Sequence, residues 1–190
     1  RLAAARVRTG FGVSPAHADW YKAESERFVV YSDGAEAPLR RFVQKLEVYD
    51  RVLRIRLGLN PNEGPARRLP IYLVGARSGL LRVNPALGEN VAGFYTTNDD
   101  DIFAVAIRET GDDTLLHEYA HHFMFENAAY PYPGWFVEGF AEYYATADVK
   151  SDRVLVGQAN ANRGYWLMNS KWIPISTLLA NRPNVTTKSD

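Results

Sequence analysis

The chain has 190 residues, and its 22 basic and 22 acidic side chains cancel to a formal net charge of zero. This length suits one domain with a substantial hydrophobic core, and zero net charge gives no electrostatic reason to expect nucleic acid or an anionic membrane as the main partner. No apolar run approaches the roughly 20 residues of a membrane-spanning helix, so we expect no integral membrane segment. Cysteine is absent, so disulfides and thiolate metal sites are excluded and any metal must be bound by His, Asp or Glu.

The beginning of the chain admits two interpretations. Ala16-His17-Ala18 resembles the small-residue cleavage site of an export signal, but the stretch before it is basic and lacks an apolar core. Residues 1–18 are therefore interpreted as a tail or as the remnant of an export signal. Residues 19–180 are expected to form a single domain, followed by a frayed C-terminus over residues 181–190.

The first half of this domain is predicted to be a sheet with a helix behind it. Phe28–Ser32 and Leu69–Val74 are apolar, β-rich runs ended by glycine turns, so both are predicted strands. Between them, apolar residues at helical spacing predict an amphipathic helix over residues 39–57. Its basic side chains, Arg54 included, are assigned to a solvated face.

A short helix over residues 78–81 and two further strands are predicted next, over residues 91–95 and Ile102–Ile107. The acidic run at residues 98–101 between these strands is interpreted as a hairpin tip rather than a calcium site. Either strand is a candidate for a sheet edge along which an extended peptide can lie.

The second half is predicted to be helical. Residues 115–127 contain no helix breaker, a Pro-Gly turn follows over residues 130–134, and a second helix is expected over residues 135–147. Later apolar residues are interpreted as packing segments that close the domain: Trp166, Trp172, Ile173, Pro174, Leu178 and Leu179. The whole pattern predicts an α+β fold, with a small mixed β-sheet and a backing helix followed by a helical half.

The run from His117 to His121, which reads HEYAH, is the strongest chemical signal. Residues i and i+4 lie one turn apart on one helix face, so both imidazoles can bind one zinc ion. Glu118 is rotated from His117 by about 100°, where its carboxylate can take a proton from a zinc-bound water. The alternative is a helix whose histidines only satisfy buried hydrogen bonds. His122 is rotated away from His121 and is interpreted as a packing or supporting residue.

Two histidines are not a complete zinc site, because a catalytic zinc usually has three protein ligands. The second helix is expected to supply the third. Glu138 is the candidate third ligand, and Glu142, one turn later on the same face, can accept the free ring N–H of a ligating histidine. Gly139 is expected to let the two helices cross closely. The aromatic residues of this helix are assigned to the core: Trp135, Phe136, Phe140 and Tyr144.

His117-Glu118-x-x-His121 followed by Trp135-x-x-Glu138-Gly139-x-Ala141 resembles the gluzincin zinc metallopeptidases, and more narrowly the peptidase-MA-like domains of bacterial, often exported, proteins. The resemblance is sharp over residues 113–146 and looser over residues 19–110. It implies a zincin-like fold, one Zn²⁺ per chain on the two histidines and Glu138, a peptide or protein substrate, and an exported or periplasmic location. No match to the exopeptidase motif of related aminopeptidases is found, which favours an endopeptidase.

The sequence therefore favours two functional hypotheses. The first is a zinc-dependent endopeptidase that hydrolyses peptide bonds with a metal-activated water, and the second is a non-catalytic, zinc-bearing binding or scaffold module. A structural helical domain without metal is the third hypothesis. The oligomeric state stays open, as does the donor that stabilises the oxyanion. The candidate donors are Tyr130, Tyr132, Tyr143 and Tyr165.

Overall fold

The computed structural model describes residues 3–7, 20–65, 67–89, 91–97, 102–108, 112–127, 132–150 and 153–180. Helices and strands both occur in these ranges, as the sequence predicts, and the principal sheet is mixed. No helix within them combines the length and the apolar character that crossing a membrane requires. The cleavage-like triplet at residues 16–18, the acidic run at residues 98–101 and the C-terminal residues 181–190 lie outside the described residues.

Within the described residues the sheet has six strands. In chain order they are β1 (Ala3–Val7), β2 (Trp20–Glu24), β3 (Phe28–Ser32), β4 (Leu69–Val74), β5 (Gly93–Thr97) and β6 (Ile102–Ile107). Their order across the sheet is β1-β2-β3-β4-β6-β5, in which β3, β4 and β6 are parallel and the other pairings are antiparallel. Among the described strands, β5 therefore forms one edge of this sheet, and β1 lies within the segment interpreted as a tail.

Six helices and a small hairpin complete the described part of the chain. The helices are α1 (Glu36–Arg56), α2 (Arg77–Val83), α3 (Asp112–Asn127), α4 (Gly134–Ala145), α5 (Ala161–Asn169) and α6 (Ile175–Leu179). The hairpin pairs β7 (Asp148–Val149) with β8 (Val154–Leu155) between α4 and α5. Helix α3 carries the HEYAH motif and α4 carries Glu138, so the two predicted site helices follow each other directly.

The main core lies between one face of the sheet and the helices α1 and α3. Helix α1 buries Leu39, Val43 and Leu46 at helical spacing, and α3 buries Leu116 and Phe123 in the same cluster. Alternate residues along β4 and β6 point to the other face, where a smaller cluster packs beneath α2. The sheet therefore supports α3 through the larger core.

Buried charges connect α1 to the motif helix. Asp50 is 0% exposed, and its Oδ1 accepts a hydrogen bond of 2.7 Å from the hydroxyl of Tyr119 in α3. Its Oδ2 accepts a hydrogen bond of 2.9 Å from Nε of Arg54 and lies 2.6 Å from Nε of Arg27, whose N–H does not point at that oxygen. The assignment of Arg54 to a solvated face was wrong, because this side chain is only 6% exposed and turns inward to Asp50.

The interpretation of the C-terminal segment as packing that closes the domain was also wrong for its largest side chains. Trp166 is 64% exposed, Trp172 is 71% exposed and Leu179 is 56% exposed. Apolar composition suggested burial here, but α5, α6 and the connection between them leave these side chains exposed.

We expect Asp50→Ala to lower the free energy of unfolding by about 3–5 kcal/mol, because it leaves the buried guanidinium groups of Arg27 and Arg54 without their shared carboxylate. The matched control is Glu36→Ala on the same helix, which removes an exposed ion pair with Arg40 and should cost no more than about 1 kcal/mol. Urea denaturation of the three proteins measures both effects. Equal losses in the two variants would contradict the role assigned to Asp50.

Candidate metal centre

Helix α3 brings the two motif histidines together on the side that faces α4. Nε2 of His117 lies 3.0 Å from Nε2 of His121, and both side chains remain partly accessible. This geometry follows from the helix itself, since residues four apart project over the same face. The two imidazoles therefore offer one nitrogen each to the same small volume.

Glu138 of α4 completes a triangle of ligand atoms. Its Oε2 lies 3.5 Å from Nε2 of His117 and 3.6 Å from Nε2 of His121. Zinc bonds of about 2.0–2.1 Å in tetrahedral geometry would separate neighbouring ligand atoms by about 3.3 Å, close to the three observed separations. Two imidazole nitrogens and a carboxylate oxygen are also the donor types that zinc prefers. The three side chains fit a single zinc ion.

The protonation of His117 suits a metal ligand. Burial lowers the pKa of His117, and the neighbouring His121 lowers it further, while the carboxylates of Glu142 and Glu138 act in the opposite direction. An imidazole must be neutral to bind a metal, so a lowered pKa keeps the coordinating form populated.

Glu118 lies on α3 beside this triangle. Burial and, after it, the charge of Glu138 raise the pKa of its carboxyl group to about 7, while a backbone hydrogen bond from Tyr95 acts in the opposite direction. A carboxylate with a pKa in this range can take up and release a proton near neutral pH. Because a bound divalent cation would add positive charge here, it would lower the pKa of Glu118 from this value.

Glu142 lies one turn after Glu138, and its carboxylate contacts two side chains, those of His117 and Arg163. Its Oε1 lies 3.5 Å from Nδ1 of His117, the ring nitrogen remote from the ligand triangle. The guanidinium of Arg163 in α5 donates to both carboxylate oxygens, with Nε 2.9 Å from Oε2 and Nη2 2.5 Å from Oε1. The sequence predicts a contact between Glu142 and a ligating histidine, whereas the contact between Glu142 and Arg163 is seen only in the structure.

His122 connects the motif helix to the edge strand. It is 8% exposed, and its Nδ1 lies 2.9 Å from the hydroxyl of Tyr95 in β5. Burial lowers the pKa of His122 to about 4. Tyr95 therefore reaches α3 twice, through its side chain at His122 and through its backbone N–H at Glu118.

Two expectations about α4 were wrong. A Cβ built on Gly139 would meet no atom within 4 Å, so this glycine does not permit a close helix crossing. The buried positions of α4 are Ala141, Tyr144 and Ala145, and Gly139 lies on its exposed part. Trp135 and Phe136, which lie in the first turn of α4 and were assigned to the core, are each 37% exposed.

The tyrosines considered as oxyanion donors have other neighbours in the structure. Tyr132 contacts the ring of Phe136, Tyr143 contacts that of Tyr144 and Tyr165 contacts that of Trp166. All three are exposed, and Tyr130 lies outside the described residues.

Arg163 was not identified from the sequence, and the contacts of Tyr95 were not foreseen. Arg163 is 21 residues from Glu142 along the chain, and no local spacing rule relates residues so far apart. Tyr95 was considered only as part of a strand edge. The alternation of β5 indicates which of its side chains share a face, but not that α3 lies against them.

We expect the free energy of unfolding to fall by about 2 kcal/mol through His122 between pH 7 and pH 5. The folded pKa of about 4 lies below the ordinary 6.5, so the unfolded state binds more protons in this window and stability decreases as the pH falls. Urea denaturation of chelator-treated wild-type and His122→Gln proteins at both pH values isolates the contribution. The variant should lose less stability than the wild type over this interval; an equal loss would contradict the buried, neutral state of His122.

Comparison with known proteins leaves the function to be argued from this geometry. No protein-family model matches the chain, and neither a curated protein nor a solved structure matches it.

Proposed function

We propose that this protein is a zinc-dependent metallopeptidase of the gluzincin type, most simply an endopeptidase with a zincin-like fold. The observation that carries the proposal is the convergence of His117, His121 and Glu138, whose ligand atoms all lie within 4.8 Å of one another. The mixed sheet, the backing helix α1, the motif helix α3 and the glutamate helix α4 occur in the order that the family resemblance implies.

The triangle of ligands has the openness that a catalytic zinc site needs. Catalytic zinc usually keeps one coordination position for water or substrate, whereas structural sites are closed by a fourth protein ligand. The side chain of Glu138 is 66% exposed, so the centre lies at the surface on this side. Zinc, when bound, supplies a Lewis acid that polarises a carbonyl oxygen and lowers the pKa of a bound water molecule towards about 7.

Glu118 is proposed as the general base. Its carboxylate lies beside the ligand triangle, and its raised pKa matches proton transfer near neutral pH. It would accept the proton of the attacking water and then deliver a proton to the leaving amine nitrogen. This role separates a peptidase from a zinc-bearing binding module, because binding alone makes no use of a proton acceptor at this position.

The edge strand β5 is a candidate position for the substrate. In the described part of the sheet β5 pairs only with β6, through contacts such as Tyr95 with Ala104, so its other edge has no strand partner. An extended peptide can add to such an edge through main-chain hydrogen bonds. The backbone contact of Tyr95 with Glu118 places this edge next to the proposed base, which supports a peptide as substrate.

We expect zinc to stabilise the chelator-stripped protein through the three ligands. Zinc at 100 times its dissociation constant should raise the free energy of unfolding by about 2.7 kcal/mol. Glu138→Ala should lose most of this increment at the same zinc concentration, whereas Glu126→Ala on the exposed side of α3 should retain it. Urea denaturation with and without zinc measures the increment. An equal increment in Glu138→Ala, or none in the wild type, would contradict the ligand assignment.

We expect Glu118→Gln to lower peptidase activity by about 10²–10⁴-fold, the usual contribution of general base catalysis, while zinc affinity stays near the wild-type value. Cleavage of a mixed peptide library by the zinc-loaded proteins, followed by mass spectrometry, measures turnover. Glu126→Gln makes the same chemical change on the same helix and should keep full activity. Zinc binding without any cleavage by the wild type would favour the binding module instead, and unchanged turnover in Glu118→Gln would refute the base assignment.

A further inference from the structure

Helix α5 touches the metal centre through Arg163. The guanidinium of Arg163 contacts both oxygens of Glu142, and one of these oxygens, Oε1, also lies 3.5 Å from Nδ1 of His117. The carboxylate is thus shared between a cation on α5 and an imidazole on α3. The proposed chemistry assigns no role to Arg163, although this side chain contacts Glu142, which in turn lies beside the candidate ligand His117.

The carboxylate of Glu142 needs a partner if it is to stay in place. Its side chain is 36% exposed, and a glutamate at the surface can rotate into water. An arginine donates from two nitrogens of a planar group, so it fixes both oxygens and thereby the plane of the carboxylate. With Arg163 bound on one side, Oε1 faces the ring of His117 on the other.

Arg163 is itself held by local structure. Its backbone N–H donates to Oδ1 of Asn160 at 3.1 Å, which places it in the capped first turn of α5. Just before this helix, the backbone N–H of Gly157 donates to the carbonyl oxygen of Tyr143 at 3.1 Å. Gly157 has a φ of +66°, and a Cβ there would lie 2.3 Å from the ring of Tyr143, so only glycine allows this approach. The segment before α5 is therefore tied to α4 beside Glu142.

We propose that Arg163 is a positioning residue of the metal centre, which holds Glu142 so that its carboxylate orients the ring of His117. When a histidine binds a metal through Nε2, its proton is on Nδ1, and a carboxylate at Nδ1 fixes both the tautomer and the ring plane. The chain of contacts runs from Arg163 through Glu142 to His117. This role rests on the proposed metal site and assigns a function to the C-terminal segment.

The exposure of Arg163 separates this role from a purely structural one. Its side chain is 65% exposed, and an exposed ion pair contributes little to the stability of a fold. Removal of Arg163 should therefore leave the melting temperature of the metal-free protein nearly unchanged. Its effect should appear in zinc affinity.

The test is zinc affinity, measured by competition with a chromophoric chelator, so that it does not depend on peptidase activity. We expect Arg163→Ala to weaken zinc binding by about tenfold, at the lower end of what loss of a supporting contact to a metal ligand causes. Arg163→Lys should recover part of the loss, because an ammonium group restores the charge but cannot fix both oxygens. Lys171→Ala removes the same charge from the same exposed segment and should bind zinc as the wild type does.

A double-mutant cycle with Glu142→Ala identifies the route of the effect. If Arg163 acts through Glu142, the double variant should bind zinc no more weakly than Glu142→Ala alone. Wild-type affinity in Arg163→Ala, or additive losses in the double variant, would overturn the positioning role while the metal site itself stands. A wild-type protein that binds no zinc would overturn the metal site and this role together.

Discussion

The rotation of α3 about its own axis is the constraint on which the candidate site depends. Tyr119 lies two residues after His117, about 200° around the helix, and its hydroxyl donates to the buried carboxylate of Asp50. A rotation of the helix by one residue would break this bond and would turn His117 and His121 away from α4. Asp50 also neutralises two buried guanidinium groups, so its carboxylate is fixed in place and loss of its hydrogen bond with Tyr119 would be costly in free energy. The side of α3 remote from the metal centre thus determines what the other side presents.

The electrostatics of the centre favour a bound cation. Burial and, after it, the charge of Glu138 raise the pKa of Glu118. Besides burial, the neighbouring His121 likewise contributes to the lowered pKa of His117. A divalent ion among these groups would offset the charge of Glu138 and lower the pKa of Glu118, so that Glu118 would ionise more readily near neutral pH.

Sequence patterns predicted the elements whose character is local. The apolar runs of β3, β4 and β6 and the helical spacing of α1 correspond to the observed elements, because burial of one face requires a fixed period. The relative position of His117 and His121 follows from helix geometry alone. The contacts of Arg27 with Asp50 and of Arg163 with Glu142 did not follow, since these arginines reach the two carboxylates only through the tertiary fold. Apolar composition also misled for α5, whose Trp166 is exposed, because a sequence shows polarity but not which surface is covered.

The two halves of the centre differ in how firmly they are held. The histidines belong to a helix that is buried along one side, tied to α1 by Tyr119 and to β5 by His122. Glu138, in contrast, has a mostly exposed side chain, and Glu142 depends on an arginine from a later helix. A metal ion entering the site would find two ligands already oriented and would have to order the third. The free energy needed for that ordering reduces affinity, so contacts that restrain the carboxylates of α4 matter more than contacts that restrain α3. If the proposed metal site is correct, changes in α4 and in the segment that follows it would alter metal affinity without disturbing the core beneath the motif helix.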